Sequence, residues 1–304
     1  MALHINTPLL ESRPLSMAAG RSIWLKMDAL QPPGSFKIRG IGAACEHHAK
    51  AGKRRFVSSS GGNAGIAVAY AGRRLSIPVS VFVPETATDK AKALIRQEGA
   101  EVIVHGASWQ EANERAMSAL DADTALIHPF DDPLLWTGHA TMIDEVVAEG
   151  QSFDAVVLSV GGGGLMSGVV EGLVRNGLAH IPVIAVETEG AASLAASMSA
   201  GARVQLPAIT SIATSLGARM VSEHAFEVTQ NRPVDSVVVS DQSAVEACLR
   251  FLDDHRVLVE PACGATLALA YAHSAALARY ERVLMIACGG ATASLAQLQA
   301  WHAA

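Results

Sequence analysis

The sequence predicts an α/β fold: a doubly wound parallel sheet with a second, smaller α/β domain. Three observations carry that expectation. Apolar runs of four to six residues, such as 79–83 and 155–158, alternate with helical patterns along most of the chain. Runs that short and that continuously apolar suit strands buried on both faces of a parallel sheet. Half of the 304 residues are hydrophobic and only 17 % are charged, as expected where helices cover both sides of a sheet. Several strand patterns also run straight into glycine-rich loops that open helices, the arrangement that places ligands at the carboxyl edge of such sheets.

The elements follow in order. Residues 1–20 are expected to be irregular, with Thr7-Pro8-Leu9 as a surface segment. A short strand is expected over 23–27. Pro32-Pro33-Gly34 then punctuates the backbone, and Ser35 is a good N-cap for a helix over 36–50 that closes near Gly52. A strand over 55–58 enters Ser59-Ser60-Gly61-Gly62-Asn63-Ala64-Gly65, followed by a helix over 66–74. Strand 79–83, helix 91–97 and strand 101–104 come next. Ser108 and Glu111 form a capping box that opens a helix to about residue 120, and 125–127 is a strand. Past Asp131-Asp132-Pro133 the alternation resumes: helix 134–148, strand 154–159, glycine loop 161–164, helix 165–175, strand 182–186. Residues 190–230 read as helical with breaks and have no clear period. Strand 234–239 precedes a helix over 243–252 with an apolar stripe at Ala244, Val245, Cys248, Leu249 and Leu252. Helix 262–279 and strand 283–287 lead into Cys288-Gly289-Gly290, and a last helix starts near 294. Nothing repeats internally. The larger domain is expected to comprise 1–35 and 132–304, and the smaller one 36–131.

Composition narrows the function classes. The net charge is −6 and the pI is near 6.0. The basic run Lys53-Arg54-Arg55 precedes a strand, so it reads as a solvated element end and no nucleic-acid partner is expected. No apolar stretch reaches membrane-spanning length, and Met1-Ala2-Leu3-His4 carries no signal-peptide pattern. Cys45, Cys248, Cys263 and Cys288 are far apart with no Cys-x-x-Cys, which reads as a reduced, cytoplasmic protein without a zinc site or disulfide framework. His47-His48 has no further ligands in its neighbourhood.

Four stretches could carry chemistry. Lys37 follows Phe36 in the first turn of a predicted helix, where exposed N–H groups and the helix dipole make the field positive. That field, and burial beside an aromatic ring, would lower an amine's pKa, as a Schiff-base nucleophile and proton carrier needs. The alternative is a solvated surface lysine. Gly161-Gly162-Gly163-Gly164 stands between a buried strand and a helix, a phosphate cradle at a helix N-terminus. The same stretch, read as Gly162-Gly163-Gly164-Leu165-Met166-Ser167, nearly matches a dinucleotide fingerprint, with Ser167 in place of the third glycine and Glu187 after the next strand. A nicotinamide enzyme is therefore an open alternative. Ser60-Gly61-Gly62-Asn63-Ala64 could hold a carboxylate on backbone N–H groups, with Asn63 as an added donor, or could be a plain glycine turn. Cys288 ends the last strand, where a thiol could meet a ring nitrogen without forcing a proton onto it; alone it reads equally as a small buried hydrophobe.

Taken together, these stretches resemble the fold-type II pyridoxal-phosphate (PLP) enzymes, a tryptophan synthase β-like architecture, and specifically the L-serine/L-threonine dehydratases of the mammalian liver type. The matching residues are Gly34-Ser35-Phe36-Lys37-Ile38-Arg39-Gly40, residues 59–65, Pro129-Phe130-Asp131-Asp132-Pro133, residues 158–165, Val259-Glu260-Pro261-Ala262-Cys263-Gly264 and Cys288-Gly289-Gly290. The resemblance implies that Lys37 carries PLP covalently and is the catalytic base at Cα. Phe36 would lie against the cofactor ring, Asn63 would bond its 3-oxygen, Gly161, Gly162, Gly163 and Gly164 would hold its phosphate, and Cys288 would face its pyridine nitrogen. Ser60, Gly61, Gly62, Asn63 and Ala64 would bind the substrate carboxylate. A monovalent cation (K+) near the phosphate loop would use the Glu187 carboxylate and the Leu216 carbonyl. A homodimer is the family expectation.

The implied reaction is β-elimination of water from L-serine, and from L-threonine, giving pyruvate or 2-oxobutanoate plus ammonia, a lyase of amino-acid catabolism. No Glu or His in the motifs stands out as the acid for the leaving hydroxyl, and in the family the cofactor phosphate is the usual proposal. Gly61 stands where the liver enzyme has alanine, which enlarges the floor of the substrate pocket and leaves the serine-to-threonine preference open, since one methyl discriminates by only about 1–3 kcal/mol. The chain leaves no room for a C-terminal regulatory domain, so allosteric control of that kind is not expected. Serine racemase or β-replacement chemistry would use the same lysine and loop, but a Ser or Thr opposite the pyridine nitrogen would have favoured those. A nicotinamide oxidoreductase leaves Lys37 unexplained, and a non-catalytic binding protein on this fold would be expected to lose it.

Overall fold

A computed structural model describes residues 2–303. The first half of the chain forms β1 (Leu9–Glu11), α1 (Arg13–Ala19), β2 (Ser22–Lys26), α2 (Lys37–Lys50), β3 (Arg55–Ser58), α3 (Asn63–Leu75), β4 (Val79–Val83), α4 (Asp89–Gln97), β5 (Glu101–Val104), α5 (Trp109–Ser118) and β6 (Thr124–Leu126). The second half forms α6 (Pro133–Ala148), β7 (Ala155–Ser159), α7 (Gly164–Arg175), β8 (Val183–Thr188), α8 (Ser193–Ala200), α9 (Glu223–Asn231), β9 (Val234–Val239), α10 (Asp241–His255), α11 (Pro261–Tyr271), β10 (Arg282–Ile286) and α12 (Leu295–His302).

These strands make two sheets. The larger has the order β1-β2-β10-β7-β8-β9 and the smaller β5-β4-β3-β6. Every pairing is parallel except β1 with β2. β4, β7 and β8 are buried along their whole length, which is why their sequences read as apolar runs without alternation. One apolar core covers the larger sheet, and a second joins α2 and α3 to the smaller one.

The expectations for residues 1–20 and for Ser35 are corrected. Residues 1–20 hold β1 and α1. The helix is capped by Ser12, whose Oγ accepts from Leu15 N, and is ended by Gly20 at φ 67°. A three-residue strand and a seven-residue helix are too short to show a period. Thr7 is buried, not a surface residue, and donates to Asp28 Oδ1 at 2.7 Å. Ser35 does not cap α2: Phe36 is the cap residue and no side chain accepts from the first turn. The backbone there is spent on the end of β10 instead. Ser35 bridges to Gly289, Phe36 N donates to Cys288 O at 3.0 Å, and Gly290 N donates to Gly34 O at 2.9 Å. That exchange fixes where α2, and with it Lys37, begins.

Other boundaries move modestly. α3 begins at Asn63 rather than 66. α11 ends at Tyr271, with His273 at φ 49° and a short 3-10 turn over Ala275–Leu277 in place of a helix to 279. Residues 190–230 resolve into α8, a 3-10 turn over Thr214–Leu216 and α9.

A buried ion network locks α2 to the larger sheet. Arg39 is fully buried and binds two carboxylates through paired N–H bonds. Its Nε and Nη2 donate to Asp28 at 2.6 and 2.9 Å, and its Nη1 and Nη2 donate to Glu145 at 2.7 Å each. Lys26 Nζ lies 2.6 Å from Glu145 Oε2. Paired guanidinium–carboxylate bonds fix orientation as well as distance. Removing one member would leave a buried charge unpaired, a cost of about 3–5 kcal/mol. Lys37 stands two residues before Arg39, so the network also fixes the lysine.

Candidate active site

Lys37 is the first residue of α2, at the junction of the two sheets' connections. Its Nζ donates to Pro129 O at 2.6 Å and lies 5.2 Å from the Phe36 ring centroid. Burial lowers its pKa to about 8, opposed by the nearby Cys288 and Glu260. Removal from water dominates the shift, because the neutral amine loses less hydration than the ammonium. An amine whose pKa is lowered this far is neutral in a usable fraction near neutral pH and can act both as nucleophile and as base.

The glycine loop 161–164 joins β7 to α7. No protein acceptor takes the N–H groups of residues 161–166 among the hydrogen bonds of the described residues, so six amides at a helix N-terminus remain for an anion. The glycines also answer to the protein. A Cβ at Gly162 would stand 2.4 Å from the Phe130 ring, and one at Gly163 (φ 96°) would stand 2.2 Å from Ala225 Cβ. Phe130 therefore lies directly over the loop, and the next carbonyl back along the chain, Pro129 O, holds Lys37. Ser167 Oγ, in the first turn of α7, and Ser35 Oγ are buried without a partner.

The second glycine loop joins β3 to α3. The amides of Gly61, Asn63 and Ala64 have no acceptor among the described residues, while Gly62 N donates to Ser60 Oγ at 3.4 Å. A Cβ at Gly61 would press on Ala87 Cβ at 3.2 Å and Val83 Cγ1 at 3.3 Å. The missing methyl thus faces the end of β4 and the following loop. The enlarged pocket floor expected from Gly61 does not follow directly.

Asn63 is held on both sides of its amide. Its Oδ1 accepts from Ala291 N at 3.0 Å, and its Nδ2 donates to Glu260 Oε1 at 2.8 Å and lies 3.4 Å from Ser215 Oγ. Cys288 is buried and hydrogen-bonded to the Cys263 thiol; that bond and burial hold its thiol protonated, well above the usual range.

Lys37, Phe36, Asn63, the 161–164 loop and Cys288 therefore converge through shared contacts with Phe130, Glu260 and the end of β10. Glu187 and Leu216 do not join in the same way. Glu187 is fully buried, and its two oxygens accept from Leu194 N and Ala195 N at 2.8 Å each, capping α8. Burial pushes its pKa up to about 7. Leu216 Cα would stand 3.0 Å from a Cβ at Gly161, but its carbonyl accepts from Ala218 N at 2.8 Å. No hydrogen bond joins Glu187 to Leu216.

No Glu in the motifs stood out from the sequence as an acid for the leaving hydroxyl, yet Glu260 is buried in this site. It lay inside a motif, and only the distant Asn63 identifies its role. Ser215 and Thr292, which also reach Glu260, sit in stretches with no pattern to find. Pro129 and Phe130 were visible as a motif but without a task.

The residues present fit PLP. A buried amine with a depressed pKa, six free amides in a glycine cradle, an amide donor and a protonated thiol match its aldehyde, phosphate, 3-oxygen and ring nitrogen in chemical kind.

Comparison with known proteins agrees. The family model described as "Pyridoxal-phosphate dependent enzyme" matches residues 1–289. The chain is 46 % identical to human L-serine dehydratase/L-threonine deaminase, over 98 % of this chain and 94 % of that one. It is 42 % identical to L-serine dehydratase of Dictyostelium discoideum, over 97 % and 91 %. The crystal structure of a fungal L-serine ammonia-lyase from Rhizomucor miehei superposes with a TM-score of 0.93 at 34 % identity, covering 100 % of this chain and 99 % of that one. Maize serine racemase superposes with a TM-score of 0.88 at 26 % identity, covering 98 % and 92 %. With its buried lysine, its glycine cradle and this extent of similarity, the chain belongs to the pyridoxal-phosphate-dependent enzyme family.

Proposed function

We propose that this protein is a PLP-dependent ammonia-lyase that dehydrates and deaminates L-serine, and also L-threonine, to pyruvate or 2-oxobutanoate plus ammonia. The observation that carries the proposal is the buried Lys37 amine, with its pKa near 8, set between the glycine cradle and the protonated Cys288 thiol. PLP, when bound, supplies the electron sink that stabilises charge left at Cα. The chain's own groups do the rest. Amides of Gly61, Asn63 and Ala64 hold the substrate carboxylate, with Ser60 and Gly62 shaping the loop. The Lys37 amine takes the Cα proton. The amides of 161–166 bind phosphate, Phe36 supports the ring, and Asn63 donates to the 3-oxygen. Cys288 meets the ring nitrogen without giving up a proton, so charge at Cα is held less strongly and loss of the β-hydroxyl competes well with reprotonation.

The same position distinguishes elimination from racemisation or β-replacement, for which a Ser or Thr hydroxyl would suit better. We place residues 1–35 and 132–304 in one domain and 36–131 in the other, and expect a cytoplasmic homodimer. No helix among the described residues is long and apolar enough to cross a membrane. A monovalent cation beside the phosphate loop would have to draw Glu187 off the α8 amides and share the Leu216 carbonyl. Activity in K+ compared with a bulky organic cation tests that part.

The decisive experiment is a visible spectrum of the purified protein before and after L-serine, with pyruvate assayed in the same cuvette. A yellow protein whose band shifts and which releases pyruvate is expected. A yellow protein that makes none would move the assignment to racemase or β-replacement chemistry.

A further inference from the structure

Glu260 has no part in the chemistry assigned to Lys37, Asn63 and Cys288, yet the site is built around it. It occupies the N-cap of α11, where a side chain ordinarily accepts from the first turn, and it makes no such bond. Its carboxylate turns away into the site. Asn63 Nδ2 donates to Oε1 at 2.8 Å and Thr292 Oγ1 donates to Oε2 at 3.2 Å, with the Ser215 hydroxyl bonded as well. A Cβ at Gly290 (φ 132°) would stand 2.2 Å from Glu260 Cγ. The last glycine of Cys288-Gly289-Gly290 is therefore the space in which this side chain lies. Only 6 % of the residue is exposed, so the carboxylate forfeits hydration that its three donors must offset.

What this arrangement fixes is the Asn63 amide. Oδ1 is tied to Ala291 N at 3.0 Å, and one Nδ2 hydrogen goes to Glu260. The amide can then neither flip nor swing, and its second Nδ2 hydrogen has a set direction, toward Ser215 Oγ at 3.4 Å. We propose that Glu260 is a positioning residue that locks Asn63 so that its second N–H, which here makes only that long contact to Ser215 Oγ, is aimed to meet the 3-oxygen of PLP. The proposal rests on the PLP assignment above. Its consequence is specific: Glu260 acts on the cofactor through Asn63 and not by itself.

The test is a double-mutant cycle on the whole protein, read by PLP titration of the cofactor-free form and by the position and pH dependence of the visible band. Glu260→Ala and Asn63→Ala should each weaken PLP binding about tenfold, the loss of one charge-assisted bond, and should displace the band in the same direction. The double variant should be no worse than Asn63→Ala alone. Glu260→Gln keeps an acceptor for Nδ2 and should restore affinity to within about threefold. Losses that multiply in the double variant, or wild-type affinity and band in Glu260→Ala, would overturn the proposal. If Glu260→Ala does not fold, Thr292→Val takes its place. It removes a donor from the carboxylate without touching Asn63, and a two- to threefold loss with a displaced band supports the lock, whereas an unchanged titration overturns it. The wild type is titrated first: a wild type that takes up no PLP defeats the family-based assignment and not the role of Glu260.

Discussion

The two glycine loops look alike in sequence and differ in why they are glycine. Both leave a parallel strand, and both open a helix with unpaired amides. In the 161–164 loop the protein itself closes on the backbone: the Phe130 ring and Ala225 stand where side chains would be. In the 60–65 loop, a Cβ at Gly62 would meet nothing within 4 Å. One loop is a packed wall that has to be glycine for the fold to close. The other is packed at its helical end, where a Cβ at Gly65 would stand 1.9 Å from Ser60 O, but keeps open space at Gly62 that a ligand could use. Binding an invariant phosphate suits the first, and admitting and releasing a substrate carboxylate suits the second.

Lys37 gives the largest expected effect. Lys37→Met should abolish turnover and the visible band. It should also stabilise the cofactor-free protein at pH 7, because a buried amine with its pKa lowered from 10.5 to about 8 charges in the folded state at a cost of up to about 3 kcal/mol. The sign follows from the lowered folded value. Stability from the neutral amine is present above pH 10.5 and is lost as pH falls to about 8. Denaturant melts of both proteins at pH 7 and pH 10 check it; equal midpoints at pH 7 would place the amine in water.

The loops come next, and they separate stability from function. Gly162→Ala sets a methyl against the Phe130 ring and should cost about 1–3 kcal/mol of folding stability, with PLP affinity falling alongside. Gly62→Ala should melt within about 0.5 kcal/mol of wild type yet raise the KM for L-serine about tenfold through crowding of the carboxylate. If Gly62→Ala instead destabilised the fold with normal kinetics, the contrast between the loops would collapse. Gly61→Ala is intermediate. Ala87 and Val83 must yield by a few tenths of an ångström, so a stability loss under about 1 kcal/mol and a modest change in the serine-to-threonine ratio are expected.

Much of this was legible in the sequence, for reasons that also explain what was not. β4 and β7 are continuous apolar runs; β4 matched residue for residue and β7 to within one residue at its start. Asn63 and the four glycines sit where strand becomes helix, a junction that local pattern marks well. The depressed pKa of Lys37 was expected from the helix field and from burial together; burial is the chief cause, and its extent depends on packing from distant segments. Ser35 misled because an N-cap preference is local, while its backbone is claimed by Gly289, some 250 residues away. Glu260 was missed for the same reason: its partners Asn63 and Thr292 come from opposite ends of the chain.

His128 gives the smallest expected effect and tests whether the wall over the first loop is held from behind. Its Nδ1 accepts from Phe130 N at 3.2 Å and Asp131 N at 2.8 Å, so this nitrogen must be unprotonated. Its ring meets that of Phe130 at 4.8 Å. Burial holds its pKa below the usual histidine value of 6.5, with Lys37 acting in the same direction and Asp131 and Asp132 opposing. With a lowered folded value, the unfolded chain takes up the proton first as pH drops. Stability contributed by the neutral ring is therefore complete above pH 6.5 and declines as pH falls below it. Asparagine can accept in the same turn geometry and does not titrate there. His128→Asn should fold within about 1 kcal/mol of wild type at pH 7.5 and lose less stability than wild type between pH 7 and pH 5.5. Parallel pH slopes for the two proteins would show that the Pro129–Phe130 turn is held by its packing on the glycine loop and owes nothing to the imidazole.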